Sequence, residues 1–281
     1  MSIVIGIDAG ISATKIIGIE DGKRIKPPLS VSCSDAISSI YGALGNYLHA
    51  GGIPLADVKH IMITGIAASQ LKSPLHDIPT STIDEFLANG RGARFDTGLD
   101  HMIVVSMGTG TSLVRVDGDD ITHLGGLGMG GGTLLGLSQL LLHTHNMEEI
   151  TALAEFGYPG VVNLRMEDIC DTPIAGLTED ATVSLFARAI TRKPTNSDIA
   201  AGIIHMVLET IGSAAVLSQL NNGFKDFVLI GKLTELEACK SVFPKLEELY
   251  QVRFHIPKYA SYCTALGAAL SYGYENDNYS S

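Results

Sequence analysis

Four stretches of this sequence hold residue types whose spacing can do chemistry, and three of them suit an anion. Gly6-Ile7-Asp8-Ala9-Gly10-Ile11-Ser12-Ala13-Thr14-Lys15 is a glycine-bearing turn that follows a strand-like run. Such a turn offers backbone N–H groups to phosphate oxygens. Asp8, at the strand end, can hold Mg²⁺ through an oxygen or a water, Ser12 can donate a hydrogen bond, and Lys15 can neutralise charge. A second turn, Ser106-Met107-Gly108-Thr109-Gly110-Thr111-Ser112, sets small residues and hydroxyls where a phosphate can approach the backbone. The third stretch carries Gly125, Gly126, Gly128, Gly130, Gly131 and Gly132 just ahead of a helix, whose N-terminus favours negative charge. The fourth is Ile83-Asp84-Glu85-Phe86, where a carboxylate among apolar neighbours can act as a general base with its pKa raised by burial. Gly231 after a strand, and Gly267 in the last helix, read as leaving room for a nucleotide base. Taken singly, the first two turns read equally well as plain hairpins, and Glu85 as a solvated helix carboxylate. None of these stretches is a Walker A or GxGxxG motif.

The elements that must position these groups follow from patterning. An apolar run over Ser2–Ile7, a turn, and a second run over Thr14–Ile19 predict paired strands closed by an Asp21-Gly22 turn. Ile37, Ile40, Leu44 and Leu48 have helical spacing, Val58–Thr64 reads as a strand ending at Gly65, and a helix opens near Asp84–Asn89. The grammar then repeats: a strand over His101–Ser106, a glycine turn, a strand over Ser112–Val116 and an Asp117-Gly118 turn. This weak repeat, together with a length of 281 residues, predicts two domains. Helices follow over Thr133–His143, over Ser197–Leu220 with Ser197 as N-cap, and over Leu236–Tyr250. Strands over Phe227–Gly231 and Val252–Ile256, a last helix from Thr264 and a frayed polar tail from Asn276 complete an α/β pattern. The stretch from Pro159 to Pro194 has no clear period.

Composition narrows the chemistry. Hydrophobic residues make up 46% and charged residues 17%, enough to bury a sizeable core. A net charge of −11 argues against a nucleic-acid or anionic-membrane partner, since those need clustered Lys and Arg. It does not exclude an anionic small molecule held by backbone amides. Cys33, Cys170, Cys239 and Cys263 are widely separated and form no CxxC, so neither zinc nor an iron–sulfur cluster is signalled. Reduced thiols and the lack of a basic leader or a membrane-length apolar run fit a cytoplasmic protein.

In their order along the chain these pieces resemble the type II pantothenate kinases, of the superfamily of actin, hexokinase and the Hsp70 ATPase domain. The resemblance runs through Gly6-Ile7-Asp8-Ala9-Gly10 with Lys15, Gly65, Asp84-Glu85-Phe86, Gly108-Thr109-Gly110-Thr111-Ser112, and Gly125-Gly126 with Gly128 through Gly132-Thr133. It ends with Gly231 and Ala265-Leu266-Gly267-Ala268, and covers nearly the whole chain. It implies a two-lobed actin-like ATPase fold of duplicated ribonuclease-H-like domains, with lobes over residues 1–100 and 101–281. It further implies a homodimer that uses ATP and Mg²⁺ to phosphorylate pantothenate, the first step of coenzyme A synthesis. By position, Glu85 matches the catalytic base. Asp8, Gly10, Ser12 and Lys15 match the first phosphate site, with Asp8 as the metal ligand. Gly108, Thr109, Gly110, Thr111, Gly128, Gly130, Gly131, Gly132 and Gly231 match nucleotide contacts, while Ser106 and His123 fall on the substrate side.

Two positions depart from the family pattern. Gly10-Ile11-Ser12 stands where Gly-Gly-Thr is usual, and His123 stands where an Arg precedes the third glycine cluster. These departures leave open a kinase for a related alcohol such as pantetheine or a sugar, and a non-catalytic ATP-binding paralogue; the implied fold also leaves open an activator ATPase of the dehydratase type, which would need cluster-bridging cysteines.

Overall fold

The computed structural model describes residues 2–21, 24–32, 35–71, 73–171, 176, 178–219 and 222–278. Gly22, Cys33, Leu220 and the chain end at 279–281 lie outside the described residues, and with them the close of the first expected turn and of the long helix. The first half comprises β1 (Ile3–Ala9), β2 (Thr14–Glu20), β3 (Arg24–Ile25), β4 (Leu29–Val31), α1 (Ala36–Gly51), β5 (Val58–Thr64), β6 (Thr80–Thr82) and α2 (Glu85–Thr97). The second comprises β7 (His101–Met107), β8 (Thr111–Asp117), β9 (Asp120–Leu127), α3 (Gly131–Leu142), α4 (Met147–Ala154), β10 (Leu164–Arg165), β11 (Thr182–Ser184) and α5 (Asn196–Leu217). It continues through β12 (Asp226–Ile230), α6 (Cys239–Tyr250), β13 (Arg253–His255) and α7 (Cys263–Asn278).

The repeat expected from the sequence is visible in the strand order. One large sheet runs β3-β2-β1-β5-β6, with β4 also paired to β2, and a second runs β9-β8-β7-β12-β13, while β10 and β11 pair apart from both. In each, antiparallel strands are followed by two parallel ones. This is the two-lobed α/β architecture expected of the actin-like ATPases. The central strands are buried on both faces, so β1, β7 and β12 are nearly continuous apolar runs. In β1, Ile3, Ile5, Ile7 and Ala9 face α1, whereas Val4 packs toward α7. In β7, Ile103, Val105 and Met107 join the core around α5, and Met102 and Val104 face α2.

Two glycines perform the same task in the two lobes. Gly65 ends β5 at φ +91° and Gly231 ends β12 at φ +96°. A Cβ at Gly65 would lie 2.6 Å from the Ala9 carbonyl oxygen, and one at Gly231 would lie 2.4 Å from that of Met107. Positive φ and close backbone approach both require glycine here. The lack of a side chain at Gly231 is thus set by the neighbouring strand.

The lobes are joined by an exchange of helices. α2 closes the first half but packs on β8 and β9 of the second sheet, while α7 packs on β1, β2 and β5 of the first. Where α2 and α7 cross, a Cβ on Gly267 would sit 1.7 Å from the Ala88 carbonyl oxygen and one on Gly92 2.1 Å from that of Cys263. Gly267 therefore makes room for a helix and not, as its sequence suggests, for a nucleotide base.

Several boundaries differ from the sequence reading. The N-cap of α5 is Thr195, not Ser197: the Thr195 hydroxyl accepts from the Asp198 N–H, and the Asp198 carboxylate accepts from that of Thr195. This reciprocal capping box fixes the start two residues earlier. α3 begins at Gly131, ahead of Thr133. α6 begins at Cys239, because a 3₁₀ turn over Lys232–Glu235 follows Gly231. α2 runs to Thr97, well past Asn89, and α7 runs through Asn278. Strand β9, with Gly125 and Gly126 inside it, is not legible in the sequence, since paired glycines read as loop. They are tolerated at a bulge where Gly125 takes φ +135° and Gly126 lies against the Thr111 carbonyl.

Among the described residues α5 is the one helix long and apolar enough to cross a membrane. Here it forms the spine of the second core, packed against α3, α4 and α6.

The α2–α7 crossing carries a direct test. Gly267→Ala is expected to lower the unfolding free energy by about 2–4 kcal/mol through overpacking. Gly136→Ala, in α3 with open space around it, is expected to be neutral or to stabilise by up to about 1 kcal/mol. Urea unfolding monitored by circular dichroism separates the two.

Candidate active site

The site is assembled where the two glycine hairpins meet. Asp8, the penultimate residue of β1, lies directly across from Lys15 on β2, so both side chains share the face of Gly6 and Ile17 that looks toward α7. Asp8 is buried, with the Lys15 ammonium 3.9 Å from its carboxylate, a loose pair. Burial raises the Asp8 pKa, and the Lys15 charge opposes that shift. Beyond them, Ile11 and Ser12 are exposed at the tip. Ile11 is not among the residues with positive φ, so the β-branched side chain that replaces the family's glycine is accommodated without backbone strain.

The second hairpin mirrors the first. Ser106 pairs with Ser112 on the face shared by Val104 and Val114, which looks toward α2. The Gly108 N–H donates to the Gly110 carbonyl, closing a tight loop. The third glycine cluster is stitched onto this loop: Gly131 N–H donates to Gly108 O at 2.8 Å and Gly132 N–H to Thr109 O at 2.9 Å. The Thr111 hydroxyl donates to Met129 O, and a Cβ on Gly130 would strike the Thr109 carbonyl at 2.6 Å. These glycines serve loop-on-loop packing, and the Gly131 and Gly132 amides are already engaged, so they are not free for phosphate. Gly128 has open space around it. Among the described residues no group accepts from the amides of Gly10, Ile11, Ser12 and Ala13, nor from those of Thr109 and Gly110. Those are the N–H groups the two tips can offer an anion. The tips touch: Ser12 Oγ lies 3.3 Å from Thr109 Oγ1.

Glu85 enters from the start of α2. Asp84 caps that helix, its carboxylate accepting from the Phe86 and Leu87 N–H groups, and this sets Glu85 in the first turn. Half-buried Glu85 has a raised pKa, through burial first and then the negative charges of Asp8 and Asp84, with Lys15 acting in the opposite sense. That Asp8 and Lys15 both act on Glu85 brings the hairpin of one lobe and the helix start into one electrostatic cluster. The Glu85 carboxylate has no hydrogen-bond or ion-pair partner among the described residues. Next to it, Phe86 stacks on His123 of β9 with ring centroids 3.7 Å apart and planes within 7°. This stack ties the expected substrate-side residue to the expected base.

The structure thus gathers Asp8, Ser12, Lys15, Glu85, Thr109 and His123, with Ser106 on the α2-facing side of β7. Three neighbours went unread in the sequence. In the sequence Phe86 reads as an apolar neighbour in the Asp84-Glu85-Phe86 motif, with no role of its own. Glu235 lies in the 3₁₀ turn after Gly231, bonded to Lys232 and Ser261; burial is the largest single effect and raises its pKa, but the Lys232 and Ser261 contacts and the Lys15 charge together outweigh it and lower the pKa. Asn89, fully buried one turn after Glu85, had a legible signal in its four-residue spacing. A separate cavity of about 380 Å³ between α4, α5 and the start of α6, lined by Ile204, His205 and Leu236 among others, contains none of the expected site residues.

Residues 97–271 match the model of the Fumble family. The chain belongs to the Fumble family. It is similar to the type II pantothenate kinase of Bacillus thuringiensis subsp. konkukian, at 28% identity over 82% of this chain and 83% of that protein. The resemblance expected from the motif order is thereby borne out. In fold, this Fumble-family chain is similar to the activator of 2-hydroxyisocaproyl-CoA dehydratase from Clostridium difficile with bound ADPNP, with TM-score 0.69, 16% identity, and coverage of 99% of this chain and 96% of that one. It is also similar to a ROK family glucokinase from Streptomyces griseus in complex with glucose and AMPPNP, with TM-score 0.59, 15% identity, and coverage of 95% and 98%.

The raised Glu85 pKa has a consequence for stability. A group that binds its proton more tightly when folded favours the fold fully below its ordinary value of 4.5 and loses that contribution as pH rises through the folded value. Ionised Glu85 is therefore a cost at neutral pH. Glu85→Gln is expected to raise the thermal midpoint at pH 7–8, with the gain shrinking as pH falls toward 4. A loss at pH 7, or a gain indifferent to pH, in scanning fluorimetry would overturn this.

Proposed function

We propose that this chain transfers the γ-phosphoryl group of ATP to the primary hydroxyl of pantothenate, in the cytoplasm, at the start of coenzyme A synthesis. The observation that carries the reading is the Glu85 carboxylate, proton-seeking and unpartnered, beside two hairpin tips with free amides. The type II pantothenate kinase named among the relatives supports the choice of acceptor. Nucleotide analogues bound in the two fold neighbours support ATP as donor.

In this reading Ser12, Thr109 and the amides of Gly10, Thr109 and Gly110 hold the phosphate chain between the lobes, and Lys15 offsets its charge. Glu85 accepts the proton of the acceptor hydroxyl as that oxygen bonds to the γ-phosphorus and the bond to the ADP oxygen breaks. Orientation and charge placement supply most of the acceleration, since such a transfer needs little covalent help from the protein. His123, fixed by its stack on Phe86, and Ser106 border the acceptor. Among the described residues there is no cluster of three metal-ligating side chains. A single buried carboxylate, Asp8, suits Mg²⁺, which often uses one or two carboxylates with waters and phosphate oxygens filling the rest. Bound there, Mg²⁺ would neutralise charge on the phosphoryl oxygens.

A second reading, a kinase for a neutral alcohol such as pantetheine, is favoured by the flat His123–Phe86 stack, which offers no guanidinium fork for a carboxylate. The purified protein with Mg²⁺, ATP and a panel of pantothenate, pantetheine and sugars, read by product mass, decides between them. Phosphopantothenate is the expected product, with kcat falling about 10²–10⁴-fold in Glu85→Gln while ATP affinity is kept. His123→Ala is expected to raise the acceptor KM several-fold with little change in kcat. ATP binding without any phosphorylated product would sink the kinase reading in favour of a non-catalytic paralogue.

A further inference from the structure

Asn89 is fully buried at the α2–α7 crossing, and its side chain is only half satisfied. The Thr264 hydroxyl donates to Asn89 Oδ1 at 2.7 Å. The Asn89 Nδ2 group has no partner. A buried amide donor left unpaired costs on the order of 1–3 kcal/mol, and a structural need for the Thr264 bond alone would be met equally by a residue with no second polar atom. The donor therefore has a purpose outside the resting contacts.

Its position suggests what that purpose is. Asn89 lies four residues after Glu85, so the two share one helix face. Helical side chains lean toward the N-terminus, and the Asn89 side chain covers the turn that begins at Glu85. Glu85 is the complementary case, a carboxylate acceptor with no hydrogen-bond partner among the described residues. Thr264 holds the amide oxygen and so fixes the amide plane, leaving Nδ2 outside that bond. Gly92 and Gly267 let the two helices come close enough for that bond to form.

We infer that Asn89 is a positioning residue for Glu85: anchored by Thr264, it donates from Nδ2 to the Glu85 carboxylate when that side chain turns toward the acceptor hydroxyl. The inference rests on Glu85 being the base of the proposed kinase. It adds that α7, the last element of the chain, helps aim a residue at the start of α2. The donor holds one carboxylate oxygen and leaves the other for the incoming proton, so no further group is consumed.

The experiment is a double-mutant cycle on the full chain. Asn89→Leu, close in volume and free of polar atoms, is expected to lower kcat about 10–50-fold while leaving the acceptor KM and ATP affinity within about two-fold. In a Glu85→Gln background the same substitution is expected to change kcat by less than about two-fold, since the residue then has nothing to position. Thr264→Val, which frees the anchor but keeps the amide, is expected to give an intermediate loss in kcat that also vanishes with Glu85→Gln, and it provides the test if Asn89→Leu does not fold. A kcat unchanged in folded Asn89→Leu protein, or equal losses in both backgrounds, would overturn the inference and leave the kinase reading standing. A wild-type protein that phosphorylates no alcohol would overturn both.

Discussion

The structure depends on the crossing of two helices at a pair of glycines. α2 belongs in sequence to the first half and packs on the second sheet, and α7 belongs to the second half and packs on the first. Their exchange is possible only because Gly92 and Gly267 bring backbone against backbone, with no room for a methyl group on either side. At that crossing Cys263 and Asn89 are buried, and Thr264 bonds to the Asn89 amide. A hairpin from each sheet reaches the same gap above it. Without the crossing the two sheets would lose the packing that α2 and α7 share.

The two lobes solve one local problem twice. Each ends its first parallel strand with a glycine at φ above +90° pressed against the carbonyl that ends the neighbouring strand, followed by a 3₁₀ turn. The shared dihedral and shared contact show duplication at the level of backbone geometry. The copies then diverge by use. The first hairpin keeps charge, in Asp8 and Lys15, whereas the second keeps hydroxyls and gains the third glycine cluster as a brace. That brace uses the Gly131 and Gly132 amides for the loop's own carbonyls, trading anion donors for a rigid tip.

Electrostatics at the gap run against stability. Asp8 and Glu85 are both held above the ordinary carboxylate range, burial being the main cause, and Lys15 at 3.9 Å from Asp8 only partly offsets this. A protein selected for stability alone would not place two desolvated carboxylates in one cleft. Such strain is characteristic of sites where a proton must be taken up and a cation held.

Much was legible in the amino-acid sequence by itself. Alternating and continuous apolar runs announced both hairpins and the strand over Val58–Thr64, and the repeated grammar announced two lobes. The Asp8–Lys15 turn and the GTGTS turn are each short enough to be read from local sequence, and together they raise the expectation of a phosphate chemistry. Other features depend on neighbours remote in sequence and were decided only in three dimensions. Gly267 reads as space for a ligand until Ala88 is seen against it. Gly125 and Gly126 read as loop until pairing with β8 makes them a strand. His123 is a departure from the family's Arg in the sequence and a ring stacked on Phe86 in the fold. The Thr264 hydroxyl that bonds Asn89 comes from the far end of the chain, and no local pattern can report a contact that only the helix exchange creates.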